Sequence, residues 1–230
     1  MFGNSKKVKS NQLFTHEKLK ATLMRRFSKK FQKPISKNSI YSFNKFVEKW
    51  IEHNKKPIIM DSGCGNGIST IKLAKKYPLD FIVGIEHSKV KIEKNILKNA
   101  DRYDNFFLLR ADLVDFWRLL RISKISLKKN YILYPNPWPK KKHLLKRWHG
   151  HPIFPTLLDL GELLECRSNW KIYIEEFAIA CRKFANVKVL IEKWNPYCGS
   201  KNDFIFLSNF EKKYCLSNHD LWRCIVSIKN

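Results

Sequence analysis

Two groups of residues in this 230-residue chain have the types and spacing to do chemistry. The first is Asp61-Ser62-Gly63-Cys64-Gly65-Asn66-Gly67, between the apolar run Pro57 to Asp61 and a stretch of helical spacing from Ile68 to Lys76. Glycines at such a turn let the backbone bend sharply and approach a ligand, while the helix start offers free N–H groups. Two more acids stand at the ends of the next apolar runs: Glu86 closes Phe81 to Glu86, and Asp112 follows Asn105 to Arg110. The second group lies in Tyr131 to Pro155, YILYPNPWPKKKHLLKRWHGHPIFP. Pro135, Pro137 and Pro139 end an apolar strand and stiffen the chain beyond it, because each removes an amide donor and fixes φ. Between them stand Asn136 and Trp138, followed by Lys140, Lys141, Lys142, Lys146 and Arg147, interleaved with His143, Trp148, His149 and His151. A polar group and an aromatic ring beside cations at a strand end suit reading a base and holding its phosphate. The bland alternative is a proline-rich connection with a solvated basic face.

These residues need a frame that brings strand ends together. Helical spacing is expected over Glu17 to Phe31 and over Ser39 to Glu52, where Ile40, Phe43, Phe46, Val47, Trp50 and Ile51 recur as a core face. Then short apolar runs alternate with helical segments. Strands are expected at Pro57 to Asp61, Phe81 to Glu86, Asn105 to Arg110 and Tyr131 to Tyr134, with helices at Ile68 to Lys76, Lys89 to Asn99 and Leu113 to Leu120. Ile153 to Leu164 reads as helical, Leu163 to Arg167, Val187 to Glu192 and Leu221 to Ile228 as strands, and Trp170 to Phe184 as a helix. The alternation predicts an α/β protein, a mostly parallel sheet with helices on both faces, whose ligands bind outside the carboxyl ends of the strands. Residues 1–34 carry ten Lys or Arg and one acid, Glu17, and read as a mobile basic arm. Residues 35–230 read as a single domain.

Lys and Arg number 45 against 20 Asp and Glu, a formal charge of +25, so a polyanion is the expected partner and nucleic acid the default one. An AT-rich genome would explain the preference for Lys over Arg, but less well the scarcity of acids. No apolar run reaches the length of a membrane helix, and no apolar segment follows the charges of the N-terminus, so a cytoplasmic protein is expected. The six cysteines contain no C-x-x-C pair and read as reduced, packed thiols. His149 and His151 have no Cys or carboxylate at ligand spacing, so no metal is expected. The oligomeric state is not legible.

The Gly63-x-Gly65-x-Gly67 spacing with Asp61 before it resembles the first motif of S-adenosylmethionine-dependent methyltransferases. That resemblance implies that the glycine loop takes the methionine part and that Asp61 serves its ammonium, often through water. Glu86 would accept the ribose hydroxyls and Asp112 the adenine amino group. A nicotinamide cofactor competes, but its phosphates call for G-x-G-x-x-G.

Taken with the glycine loop, Pro135-Asn136-Pro137-Trp138-Pro139-Lys140 resembles the P-D-P-W-x-K segment of the bacterial tRNA guanine-N7 methyltransferase family. Ser168-Asn169-Trp170 with Tyr173 is similar to its T-D-W-x-x-Y element, and Ser208-Asn209-Phe210-Glu211 to its T-K-F-E element. The resemblance runs from about residue 55 onward and implies a Rossmann-like class I methyltransferase fold, S-adenosylmethionine as cofactor and tRNA as partner. It implies methyl transfer to N7 of a guanine in the variable loop. Asn136, Lys140 and Glu211 would be the catalytic residues. Trp138 and the cations Lys140, Lys141, Lys142, Lys146 and Arg147 would hold the RNA, and Asn169, Ser208 and Glu211 would form the far wall of the pocket.

Both family aspartates are asparagines here, Asn136 and Asn169. An asparagine offers one acceptor oxygen and two donors where a carboxylate accepts twice, which weakens recognition of guanine's N1–H and 2-amino group. Glu211 is then expected to compensate, with Glu175 and Glu176 as lesser reserves. Two alternatives stay open. Asn136-Pro137-Trp138 is also a little like the N-P-P-Y motif of enzymes that methylate exocyclic amines. A non-catalytic RNA-binding module is the other, against which the retained Asp61, Glu86 and Asp112 stand.

Overall fold

The computed structural model describes residues 3–27, 31–92, 104–196 and 206–228. It divides into two compact units, one of Lys33–Leu133 with Asp159–Leu163, the other of Met1–Gln32, Tyr134–Leu158 and Leu164–Asn230. In the first unit every residue of β1 (Ile58–Ser62) is buried, as are the first five of β2 (Phe81–Glu86), as expected of mostly apolar strands covered on both faces. β1 runs parallel to β2, from Ile58 opposite Phe81 to Ser62 opposite Ile85. β2 runs parallel to β3 (Phe106–Arg110), and β1 to β4 (Leu127–Leu133), giving the order β3-β2-β1-β4. β4 begins four residues earlier than the expected Tyr131. Its lysines hid it: Lys128 pairs with Asp80 at 2.9 Å, and the Lys129 ammonium lies 4.4 Å from the Tyr131 ring centroid.

Three helices of this unit are α2 (Lys37–Glu52), α3 (Ile68–Lys76) and α4 (Leu113–Ile122). Ser36 caps α2 by accepting the Ser39 N–H at 3.1 Å. Phe43 and Phe46 of α2 meet Phe116 of α4 edge-on, each at 5.3 Å, and bury a core of the kind worth about 2 kcal/mol per ring. Ile40 and Ile51, expected on that face, are 41% and 52% exposed instead. Residues 89–92 are helical; the rest of the helix expected to Asn99 lies outside the described residues.

In the second unit α1 (Leu19–Phe27) buries Leu19 and Leu23 but leaves Met24 exposed. The helix expected over Ile153 to Leu164 is only α5 (Phe154–Leu158), and by Gly161 the chain has become β5 (Gly161–Ser168). The reason is a close approach. A Cβ on Gly161 would meet the Leu127 carbonyl oxygen at 1.8 Å, and the Leu127 N–H donates to Leu160 O at 2.7 Å. The first residues of β5 therefore continue the first unit's strand order. Its remainder belongs to the second unit, in the order β5-β7-β6. β6 (Val187–Trp194) and β7 (Leu221–Ile228) are antiparallel, and α6 (Lys171–Phe184) buries Tyr173, Ile174, Phe177, Ala178, Ala180 and Cys181. A helix not expected from sequence, α7 (Asn209–Leu216), follows Ser208. The seven strands and their helices form the mostly parallel α/β architecture that the alternation implied.

Five described cysteines are free thiols, four of them buried; Cys198 lies outside the described residues. Among the described residues no helix is long and apolar enough to cross a membrane, and no group of three or more His, Cys, Asp or Glu is placed to hold a metal ion.

Candidate functional site

The glycine loop folds as its composition requires. Gly63, Gly65 and Gly67 have φ of +80°, +60° and +77°, the left-handed region that costs other residues about 1–2 kcal/mol. The Gly63 and Cys64 N–H groups both donate to Ile85 O, at 2.9 and 3.0 Å, which pins the loop to the end of β2. A Cβ on Gly65 would meet nothing within 4 Å, so space is open on that side of the loop. Glu86 braces it, one carboxylate oxygen accepting the Gly65 N–H at 3.1 Å and the other the Ser88 N–H at 3.0 Å. The Lys91 ammonium stands 3.7 Å from Glu86. Each Glu86 oxygen retains a lone pair for a further donor.

Asp61 lies beneath the loop and is 1% exposed. Its Oδ2 accepts the Ser69 and Thr70 hydroxyls at 2.5 and 2.8 Å, while Oδ1 is buried with no hydrogen-bond partner among the described residues. Burial pushes the carboxyl up to about 6, and the two hydroxyls hold it from going further. A buried acceptor without a partner is costly and calls for an ammonium or a water. S-adenosylmethionine carries the matching ammonium, so these residues fit it. Asp112 caps α4, its Oδ1 accepting the Val114 and Asp115 N–H groups at 2.9 and 3.2 Å, and its other oxygen has no hydrogen bond among the described residues. The six expected cofactor residues thus come together at the carboxyl ends of β1, β2 and β3.

The proline-basic segment belongs to the other unit and is strained at two places. Tyr134 and Trp138 have φ of +52° and +44°, unusual for bulky residues and the kind of strain that collects at functional sites. Asn136, between them, is exposed, its Oδ1 only 3.4 Å from the Trp138 N–H. Lys140, Lys141 and Lys142 are exposed and, with Lys9, Ser10 and Asn11, line an open depression of about 650 Å³. Ser10 holds that rim by donating to Pro139 O at 2.5 Å. The Lys146 ammonium lies 4.5 Å from the Trp138 ring centroid.

Three expected contacts are corrected. Arg147, expected on phosphate, is fully buried. Its guanidinium pairs with Glu176, donates to Gln12 Oε1 at 2.9 Å and to Trp138 O at 3.2 Å, and lies 4.8 Å from the Trp170 ring centroid. Glu176 also accepts from Gln12, the His16 N–H and His149, at 2.6, 2.7 and 2.8 Å. Burial works against its charge, but His149 and Arg147 bring it down to about 2. Glu211, expected to accept from guanine, is completely buried and already hydrogen-bonded through both carboxylate oxygens. It takes Arg167 at 2.7 Å, Trp194 Nε1 at 2.9 Å, the Tyr134 hydroxyl at 3.0 Å and the Leu207 N–H at 2.7 Å. Ser208, expected on the pocket wall, caps α7 by accepting the Glu211 N–H at 3.1 Å. Ser208 as the cap and Glu211 in the first turn of α7 thus hold the unit's own structure.

Asn169 is half-buried and bonded to His219 at 3.0 Å. Glu175 pairs with Lys171 at 3.4 Å at the surface of α6. Several residues of consequence escaped sequence reasoning. Gln12 lies in the arm, Arg167 is flanked by Glu165 and Glu211, and Trp194 is sandwiched between Arg167 and Arg223 at 4.3 and 4.1 Å. The one usable signal was Ser-x-x-Glu at 208–211, which also marks a helix start.

A family model described as "Putative methyltransferase" matches residues 55–224. The chain is 25% identical over 197 residues to the tRNA (guanine-N(7)-)-methyltransferase of Alkaliphilus oremlandii, covering 80% of this chain and 88% of that one. It is 32% identical over 140 residues to the protein of the same name from Mycoplasma genitalium, covering 57% of this chain and 63% of that one. Among solved structures, the 16S rRNA methyltransferase KamB superposes with a TM-score of 0.58 at 15% identity, covering 87% of this chain and 97% of that one, a likeness of fold.

Proposed function

We propose, from the premise that this chain belongs to that methyltransferase family, that it transfers a methyl group from S-adenosylmethionine to N7 of a guanine in the tRNA variable loop. The observation that carries the proposal is the open glycine loop with Asp61 Oδ1 buried beneath it, unpartnered among the described residues, inside the stretch the family model matches. The target is supported by the relatives' names and by the +25 charge, which favours a nucleic acid.

Bound S-adenosylmethionine supplies a methyl group on a positively charged sulfur. Guanine N7 already carries a lone pair, so the chain need remove no proton; its task is to align and to exclude water. Asp61 Oδ1 receives the ammonium end, Glu86 the ribose hydroxyls, and the uncommitted oxygen of Asp112 the adenine amino group. Asn136 positions the base beside Trp138, while Lys140, Lys141, Lys142 and Lys146 hold phosphates. Transfer of that methyl group would leave the positive charge on the base. Asn136 and Asn169 are neutral, and Glu211 is committed to Arg167, so this unit offers the charged base little electrostatic help. Alignment therefore carries most of the rate.

The test is incubation with unmodified tRNA transcripts and methyl-labelled cofactor, followed by mass spectrometry of the nucleosides. The expected product is 7-methylguanosine from the variable loop. A methylated exocyclic amine would move the assignment to the Asn-Pro-Trp reading, and no label despite cofactor binding would overturn transfer to tRNA.

A further inference from the structure

The asparagine at position 169 can turn either its carbonyl or its amino group outward, and the two orientations have nearly the same shape. The hydrogen bonds around it distinguish them. His219 Nε2 lies 3.0 Å from the backbone carbonyl oxygen of Ser5. A carbonyl only accepts, so Nε2 carries the proton. In the neutral ring Nδ1 then has a lone pair, and it lies 3.0 Å from Asn169 Nδ2, which can only donate. The amino group of Asn169 is thereby used, and the carbonyl Oδ1 is left; among the described residues no donor is bonded to it.

The end of the relay is well anchored. The Ser5 N–H donates to Ser217 Oγ at 3.0 Å, and Ser217 Oγ donates to Lys213 O at 2.7 Å. His219 is 8% exposed and stacks on Tyr214 at 5.2 Å. The imidazole therefore has few alternative orientations. Each link has one chemically sensible direction, and the direction propagates from a main-chain carbonyl near the N-terminus to the asparagine.

We propose that the Ser5–His219–Asn169 relay fixes Asn169 with Oδ1 presented as a hydrogen-bond acceptor for the N–H groups on the Watson–Crick edge of the target guanine, with His219 as the positioning residue. The proposal rests on the reading of the chain as a tRNA guanine methyltransferase. It gives the neutral Asn169 one of the two acceptor positions a carboxylate would have, and makes the arm part of base recognition. A carboxylate has two equivalent acceptors and needs no such orientation.

That asymmetry gives the test. His219→Ala is expected to lower kcat/KM for tRNA roughly tenfold or more, as expected when a recognition hydrogen bond is lost. Asn169→Asp in the His219→Ala background is expected to restore kcat/KM to within a few-fold of Asn169→Asp alone, a rescue that a merely structural histidine would not show. Unchanged activity in His219→Ala, or no rescue in the double variant, overturns the relay. The histidine tautomer, read by nitrogen-15 NMR on the wild-type protein, decides independently of turnover and of whether the variants fold. The proton on Nε2 supports the relay, and the proton on Nδ1 overturns it. A wild-type protein that methylates no guanine would instead sink the proposed function, and the tautomer would still report on the relay.

Discussion

The glycine loop and the proline-basic unit treat charge in opposite ways. Around the loop, acceptors are left with capacity to spare among the described residues: Asp61 Oδ1 is buried without a partner, and Glu86 accepts two loop amides with Lys91 at 3.7 Å. In the other unit the buried charges are consumed internally, Glu211 by four donors and Glu176 by Arg147, His149, Gln12 and the His16 amide. The difference separates a place prepared for a ligand from a scaffold that holds its surface in shape. Among the described residues of the second unit, Asn136, Lys140, Lys141 and Lys142 lie exposed at its surface.

The largest effect that should expose the contrast is Glu211→Ala. It removes one of the two carboxylates that hold the buried Arg167 guanidinium, leaving Glu165 at 2.7 Å, and is expected to cost about 3 kcal/mol in chemical denaturation. A loss below about 1 kcal/mol would mean that the network is not the scaffold described.

Asp61→Asn should do the reverse. Burial raises the Asp61 carboxyl to about 6. Because the folded value lies above the unfolded one, this group's contribution to stability is full below about pH 4 and is lost as the pH rises to about 6. The amide removes that penalty, so the ligand-free variant is expected to gain about 2–3 kcal/mol at pH 7 relative to its difference at pH 4. Its affinity for S-adenosylmethionine in calorimetry should fall tenfold or more. A variant that binds cofactor normally would take Asp61 out of the site. Glu176, held at about 2, has the opposite sign: its contribution is complete above about pH 4.5 and declines as the pH falls towards 2.

Asp112→Ala removes the cap of α4 and is expected to cost about 1 kcal/mol in thermal unfolding, with a separate loss of cofactor affinity. Unchanged affinity would leave Asp112 as a cap only. Lys141→Ala and Lys142→Ala should leave stability within about 0.5 kcal/mol and lower the slope of tRNA affinity against salt by about 1 each. An unchanged slope would remove the lysine depression from the RNA interface.

The parallel half of the fold was legible because each strand there is a short apolar run bounded by glycine, acid or proline. β4 was read only from Tyr131 because lysines that pair sideways interrupt its pattern. Ile153 to Leu164 misled because its apolar spacing suits a helix, while the deciding fact, Gly161 against the Leu127 carbonyl, is a tertiary contact. The loop residues at the strand ends could be read from local order alone. Gln12 with Glu176 and Arg167 with Glu211 could not, since they join positions 164 and 44 residues apart. Spacing cannot show which acids are already neutralised, and that is why Glu211 read as a pocket residue.

The most direct test of the proposed reaction uses two tRNA transcripts, one with ordinary guanine and one with 7-deazaguanine, which keeps the Watson–Crick edge and lacks the N7 lone pair. With labelled S-adenosylmethionine, label is expected in the guanine transcript alone, while both transcripts bind equally. Equal labelling of the two would contradict transfer to N7 and place the methyl group on another atom.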